Sequence, residues 1–175
     1  MSFKLEHTFT LILPRPSSCG TSTYVIRIIE CRELFCNIVF ENIVWCHSEN
    51  NAPHLLTNVL FVKVVPGIEN SEKVPKLLVL DDLMDSAYST KVSELFTKGS
   101  HHRTISLVPI TQKLFHQSLS SRVFSLNSKY IVVLEPQRQD LHLARQGYPE
   151  SISSFHKTYL DFCKNPHTYL LLDLT

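Results

Sequence analysis

No run of apolar residues in the chain is long enough to cross a bilayer, which excludes an α-helical membrane protein. The sequence has no CxxC pair, and its five cysteines (Cys19, Cys31, Cys36, Cys46 and Cys163) are odd in number. That excludes a zinc ribbon and a disulfide-built scaffold, and it fits a reducing compartment. It has no excess charge of either sign: 17 Lys and Arg stand against 16 Asp and Glu, a formal net charge of +1. Any nucleic-acid contact therefore has to come from a local patch rather than from bulk attraction. There is no internal repeat, low-complexity tract or Gly/Ser linker, and the opening residues Met1-Ser-Phe-Lys-Leu-Glu-His7 lack the apolar core of a signal peptide. A soluble, intracellular protein is expected, with residues 1–175 forming one domain around one core.

What is there alternates between strand-like and helix-like segments. Phe9–Leu13 reads as a first strand, 14–20 as a turn-rich loop, and Thr21–Leu34 as a helix with an apolar face at Tyr24/Val25, Ile28/Ile29 and Leu34. Strands are expected at Ile43–Cys46, Val59–Val65, Leu77–Leu80, Ile105–Ile110, Lys129–Leu134 and Tyr169–Leu172, and helices at Ser86–Lys98, Leu141–Gln146 and Ser151–Lys164. Leu77–Leu80 is apolar at every position, which marks a central parallel strand buried on both faces. Pro109 sits awkwardly inside its strand, because proline cannot donate to a central ladder. Strand–loop–helix followed by further alternation implies a three-layer α/β fold with a mostly parallel sheet. Chemistry in such sheets lies beyond the strand C-termini. Four segments fall there: the loop after Leu13, Asp81-Asp82, Thr111-Gln112 and Glu135.

Two of these segments carry most of the chemistry. Lys76-Leu-Leu-Val-Leu-Asp81-Asp82 is an apolar strand ending on two carboxylates, one suited to hold Mg²⁺ (Asp81) and one to act as general base (Asp82). A buried strand that simply ends in solvent on two polar residues gives the same pattern. About 60 residues upstream, a spacing usual in nucleotide-binding α/β cores, Arg15-Pro-Ser-Ser-Cys-Gly20-Thr21-Ser22 has the length of a phosphate loop. Such a loop needs glycine where backbone approaches phosphate and lysine for the β- and γ-phosphates. Here Arg15 stands at the first glycine, Gly20 keeps the second, Thr21 replaces the lysine, and Ser22 keeps the Mg²⁺-binding hydroxyl. Arg103, in Lys98-Gly-Ser-His-His-Arg103, could reach a neighbouring subunit's phosphate or DNA, or simply belong to a solvated basic turn. Gln112 is placed to hold an attacking water, with Thr111 as a helix N-cap. Cys46-His47 has no third, orienting group, so a hydrolase triad is discounted.

Beyond these, Leu78-Val-Leu-Asp-Asp-Leu-Met, Lys91-Val-Ser-Glu-Leu-Phe-Thr-Lys-Gly-Ser-His-His-Arg103 and Ile110-Thr-Gln-Lys-Leu-Phe-His-Gln117 form a continuous signature, extended by Ser125–Val133, Leu143–Pro149 and Tyr169–Leu174. Together they resemble the genome-packaging ATPases of Polinton/Maverick elements and adintovirus-like DNA viruses. Those belong to the FtsK/HerA superfamily of P-loop NTPases, with the poxvirus and adenovirus packaging ATPases as relatives. The resemblance implies a RecA-like fold, ATP and Mg²⁺ as ligands, assembly into a homo-oligomeric ring, and double-stranded DNA and capsid proteins as partners. It also implies a location in the host nucleus or cytoplasm, or with the virion. By motif, Asp81 and Asp82 fall on the Walker B acids, Gln112 on the sensor glutamine, Arg103 on the trans-acting arginine, and Gly20 and Ser22 on surviving loop positions.

The departures fall at the phosphate end. The family's loop reads Gly-Pro-Thr-x-x-Gly-Lys-Thr, and this chain differs at both critical places, Arg15 and Thr21. Its Lys-Asn-Pro-Arg-Asp segment is here Glu135-Pro-Gln-Arg-Gln-Asp140. The pattern suggests a decayed copy inside a host genome or a diverged viral gene. Three expectations follow: an ATPase impaired in nucleotide binding and hydrolysis, a working motor that tolerates an unusual loop, or a non-catalytic module keeping a DNA or capsid surface.

Overall fold

The computed structural model describes residues 3–14, 20–47, 56–63, 76–81, 83, 104–111, 127–134, 152–164 and 168–175. Seven strands in these segments form one sheet: β1 (Leu11–Pro14), β2 (Asn42–His47), β3 (Val59–Val62), β4 (Lys76–Asp81), β5 (Ile105–Thr111), β6 (Tyr130–Val133) and β7 (Leu170–Asp173). Their spatial order is β3-β2-β4-β5-β1-β6-β7. The first six run parallel, and only β7 is antiparallel, paired with β6. The expected three-layer α/β architecture is therefore present. β4 lies between β2 and β5, as its unbroken apolar run required: Leu77 to Leu80 are all buried.

Each face of the sheet is covered because its helices carry a matching apolar stripe. Helix α1 (Thr21–Glu30) buries Thr21, Val25, Ile28 and Ile29, the spacing of a single helical face. These pack with Leu11, Leu13, Trp45, Leu77, Val79, Val108 and Ile110. On the opposite face, helix α3 (Ile152–Lys164) brings Phe155, Tyr159 and Phe162 against Ile12, Cys46, Leu78, Leu80 and Leu107. The two-residue period of the strands sorts alternate side chains between these two cores. Among the described residues, no helix is long and apolar enough to cross a membrane, and no three His, Cys, Asp or Glu side chains are grouped to hold a metal.

Several boundaries depart from the sequence pattern, for local reasons. The helix expected over Thr21–Leu34 breaks at Cys31 (φ −104°, ψ 26°), and a single further turn, α2 (Arg32–Phe35), follows. Leu34 consequently points away from the core, 68% exposed, while Cys36 turns inward and pairs with Leu5. The bonds Leu5 N–H to Phe35 O and Asn37 N–H to Leu5 O hold that crossing. The first strand starts at Leu11 rather than Phe9, and the third is described as far as Val62. The helices expected at Ser86–Lys98 and Leu141–Gln146 lie outside the described residues.

Pro109 does stand inside a central strand. Leu107 donates its N–H to Phe9 O of the chain leading into β1 at 2.8 Å. Two residues later the nitrogen of Pro109 turns the same way, without a hydrogen. The β1–β5 pairing is interrupted there: an isolated bridge joins Thr10 to Leu107, and the ladder resumes at Leu13 and Ile110. On its other side, toward β4, pairing runs unbroken through Leu80 and Pro109.

At the opposite edge from the strand C-termini, His7 ties the N-terminal segment to the sheet. Its Nδ1 shares a 2.8 Å hydrogen bond with Ser106 Oγ, which also accepts from Phe9 N–H at 3.2 Å, while its Nε2 is buried without a partner. Burial first, and the Lys129 ammonium second, hold the imidazole pKa below its usual 6.5. A depressed folded-state value means that the unfolded chain binds the proton more readily. The stability owed to neutral His7 is thus complete above pH 6.5 and is lost as pH falls from there toward the lower folded value. Thermal melts from pH 7.5 to 5.5 are expected to show a declining Tm, with a shallower decline in His7→Gln; equal slopes in the two proteins would exclude His7 as the cause.

Candidate functional site

Six parallel strands end at one edge of the sheet, and the register identifies the residues on that rim. His47 of β2 pairs with Asp81 of β4, Asp81 with Ile110 of β5, and Thr111 of β5 with Pro14 of β1. Asp81 shares the alternation of Leu77 and Val79, and His47 that of Trp45, so both lie on the face covered by α1. Asp81 is half-buried and His47 is buried. The sequence expectation put Asp81 just past its strand, whereas it is the last residue of β4. Thr111 likewise is the last residue of β5.

After β1 the chain re-enters at Gly20, the N-cap of α1. Its backbone is left-handed (φ 78°, ψ 16°), and a Cβ there would meet nothing within 4 Å. Glycine is thus required by conformation, not by space. Gly20→Ala is expected to cost ~1–2 kcal/mol, the usual penalty for an L-residue in this region, which lowers Tm by roughly 2–8 °C in a chain of this size. A change under 1 °C would show that the turn relaxes.

The first turn of α1 has no side-chain cap and no acidic residue; Gly20 C=O accepts from Tyr24 N–H at 2.9 Å. The leading N–H groups and the positive end of the helix dipole make this end suited to an anion. Thr21 opens the helix with only 2% of its surface exposed, and Ser22 is half-buried beside it. Gly20, Thr21 and Ser22 stand at the start of α1, and Asp81 ends β4 on the face of the sheet that α1 covers. Arg15, Asp82, Arg103 and Gln112 lie outside the described residues, as do His101, His102 and Glu135.

His47 is the rim residue that sequence reasoning left unused. Its signal was positional: it follows the apolar run Ile43–Cys46, and in a parallel sheet the residue ending one strand neighbours the residue ending the next. Cys46 and His47 face opposite sides of the sheet, and burial pushes the Cys46 thiol up to about 12. A thiol so hard to ionise is no nucleophile at neutral pH.

The arrangement fits the phosphates and the metal of a nucleotide in part. An open glycine turn, an uncapped helix end, a hydroxyl at Ser22 and a carboxylate at Asp81 suit phosphate and Mg²⁺. The neutral, buried Thr21 supplies no charge for a triphosphate.

The fold is an α/β fold with a seven-stranded, mostly parallel sheet. Solved structures agree over nearly the whole chain at low identity. The genome packaging NTPase B204 from Sulfolobus turreted icosahedral virus 2, in complex with ATP-gammaS, superposes with a TM-score of 0.58 and 12% identity, covering 95% of this chain and 92% of that one. B204, the DNA-packaging ATPase from Sulfolobus turreted icosahedral virus, gives 0.56 and 12%, covering 97% and 94%. The complex of the first with AMPPCP gives 0.58 and 10%, covering 96% and 93%. No protein-family model and no curated protein matches the sequence.

Proposed function

We propose that the chain is a DNA-packaging ATPase of the viral or transposon kind whose hold on ATP is impaired. The observation that carries this is the start of α1: a left-handed Gly20 and a helix end without a side-chain cap, with Thr21 buried where the family's loop has lysine. The structural likeness to packaging NTPases crystallised with ATP-gammaS and AMPPCP supports the kind of protein. The sequence signature supports the finer kinship with Polinton and adintovirus enzymes. By that kinship the partners are double-stranded DNA and capsid proteins, and the assembly is a ring.

Bound Mg²⁺-ATP would supply an activated phosphoanhydride. The Ser22 hydroxyl and the Asp81 carboxylate would hold the metal, and the N–H groups around Gly20 would receive phosphate oxygens. By motif, Asp82 would take the proton of the attacking water, Gln112 would position that water, and Arg103 would contact phosphate from a neighbouring subunit.

Titration of the native protein with Mg²⁺-ATP tests the impairment. Binding in the millimolar range or weaker, with no turnover, is expected. Micromolar binding with turnover would instead establish a working motor. Duplex DNA binding without ATP, falling steeply with salt, would identify the non-catalytic module.

A further inference from the structure

We propose that His7 is a proton-operated latch on the N-terminal strap, residues 3–8: a proton on its ring releases the strap from the sheet while the sheet itself stays folded. The strap crosses the sheet edge opposite the strand C-termini, so the latch does not depend on the nucleotide function proposed above.

The strap is held lightly. Two backbone bonds tie it, from Leu5 N–H to Phe35 O at 2.7 Å and from Asn37 N–H to Leu5 O at 3.1 Å. Its other bonds need particular side chains. His7 N–H donates to Asn37 Oδ1 at 2.9 Å, Lys129 Nζ donates to Thr8 O at 2.6 Å, and His7 Nδ1 meets Ser106 Oγ at 2.8 Å. Phe9 and Thr10, beyond the strap, are anchored separately. Phe9 has no exposed surface, and the two carbonyls accept from Leu107, Lys129 and Tyr130 N–H. A segment with so few backbone bonds opens more readily than the sheet it lies on.

The surroundings of His7 accept a neutral ring only. They are Ser106 on β5, Asn37 and Phe40 on the chain from α2 to β2, Lys129, and Tyr130, whose hydroxyl accepts from Glu6 N–H. Of these Lys129 alone carries charge; burial first holds the Tyr130 phenol above its ordinary range, and Glu6 is exposed. Protonation puts a hydrogen on both ring nitrogens. Nε2 is buried without a partner, so its hydrogen would have no acceptor, and the new charge would stand near a second cation.

The sign follows from the same contacts. Burial, then Lys129, holds the closed-state pKa below 6.5, and the released ring returns to about 6.5. Opening therefore takes up one proton between these values, and the opening constant rises about tenfold per pH unit as pH falls from 6.5 toward the closed-state value. Leu5, now 4% exposed, would be uncovered. With Phe3 it walls a cavity of about 530 Å³ that Leu34 and Phe35 of α2 also line, so release exposes apolar surface at this edge.

The test is amide hydrogen exchange of the native protein, followed by NMR from pH 7.5 to 5.5 and expressed as protection factors. Leu5 and Asn37 report the strap; Val79 and Val108, inside β4 and β5, report the sheet. Protection at Leu5 and Asn37 is expected to fall about tenfold per pH unit below 6.5, with that of Val79 and Val108 unchanged. His7→Gln takes up no proton and is expected to keep strap protection constant. Should His7→Gln fail to fold, Lys129→Met decides: without the cation the closed- and open-state values draw together, and the total fall shrinks. Strap protection that is independent of pH, that falls equally in His7→Gln, that falls together with Val79 and Val108, or that falls undiminished in Lys129→Met overturns the latch.

Discussion

Replacing Arg15 by glycine and Thr21 by lysine together is expected to raise affinity for Mg²⁺-ATP by about two orders of magnitude. Two unit charges ~4 Å apart attract by about 4 kcal/mol at an effective dielectric near 20. Discounted for screening to about 3 kcal/mol, one restored cation is worth roughly a hundredfold. Arg15→Gly is expected to add to this by removing a Cβ at a position that the loop motif keeps as glycine. The lysine would enter at the first residue of α1, a position 2% exposed and at the positive end of the helix dipole. Without nucleotide that cation is poorly placed, so the variant alone is expected to melt below the native protein, and Mg²⁺-ATP to raise its Tm. This paired shift distinguishes a rebuilt site from adventitious binding. Adding Asp81→Asn is expected to remove the Mg²⁺ dependence of the gain. A double variant that melts cooperatively yet binds no nucleotide would show that the two substitutions are not the limiting defect.

Trp45→Ala is expected to cost about 3–5 kcal/mol, the range for a fully buried large aromatic, against a total stability of order 5–15 kcal/mol. Trp45 is the only tryptophan and has no exposed surface. It sits on β2 between β3 and β4, faces the core under α1, and lies 6.2 Å from the Phe61 ring. Its indole Nε1 is buried without a hydrogen-bond partner. An unpaired buried donor costs ~1–3 kcal/mol, so Trp45→Phe removes a penalty as well as some volume. It is expected to cost less than half as much as the alanine change. Urea unfolding followed by far-UV circular dichroism measures both variants. A loss under 1 kcal/mol in Trp45→Ala would mean that the core on the α1 side is not organised around this ring.

Much of the fold was legible because it depends on local pattern. An unbroken apolar run identified β4 as an interior strand, and helical spacing of Val25, Ile28 and Ile29 identified α1. Gly20 was legible as a turn residue because left-handed backbone admits few others. Other features were not legible. The break at Cys31 leads into Cys36, which pairs with Leu5 across 31 residues of chain. Leu34 continued the helical stripe in sequence and is nevertheless exposed. Pro109 was flagged as out of place in a ladder, but the sequence could not say which neighbour would lose its bond; the strand order makes that neighbour β1.

The candidate site divides in the same way. The residue types at strand ends and at positions 15 and 21 are properties of the chain itself, legible without any structure. Only tertiary structure decided that His47 stands next to Asp81, that Thr21 is buried, and that Tyr24 and Tyr169, separated by 145 positions, close one cavity. Periodicity and turn chemistry act between neighbours in sequence. Strand order and register act between segments that the chain must bring together, and no local pattern encodes which edge will meet which.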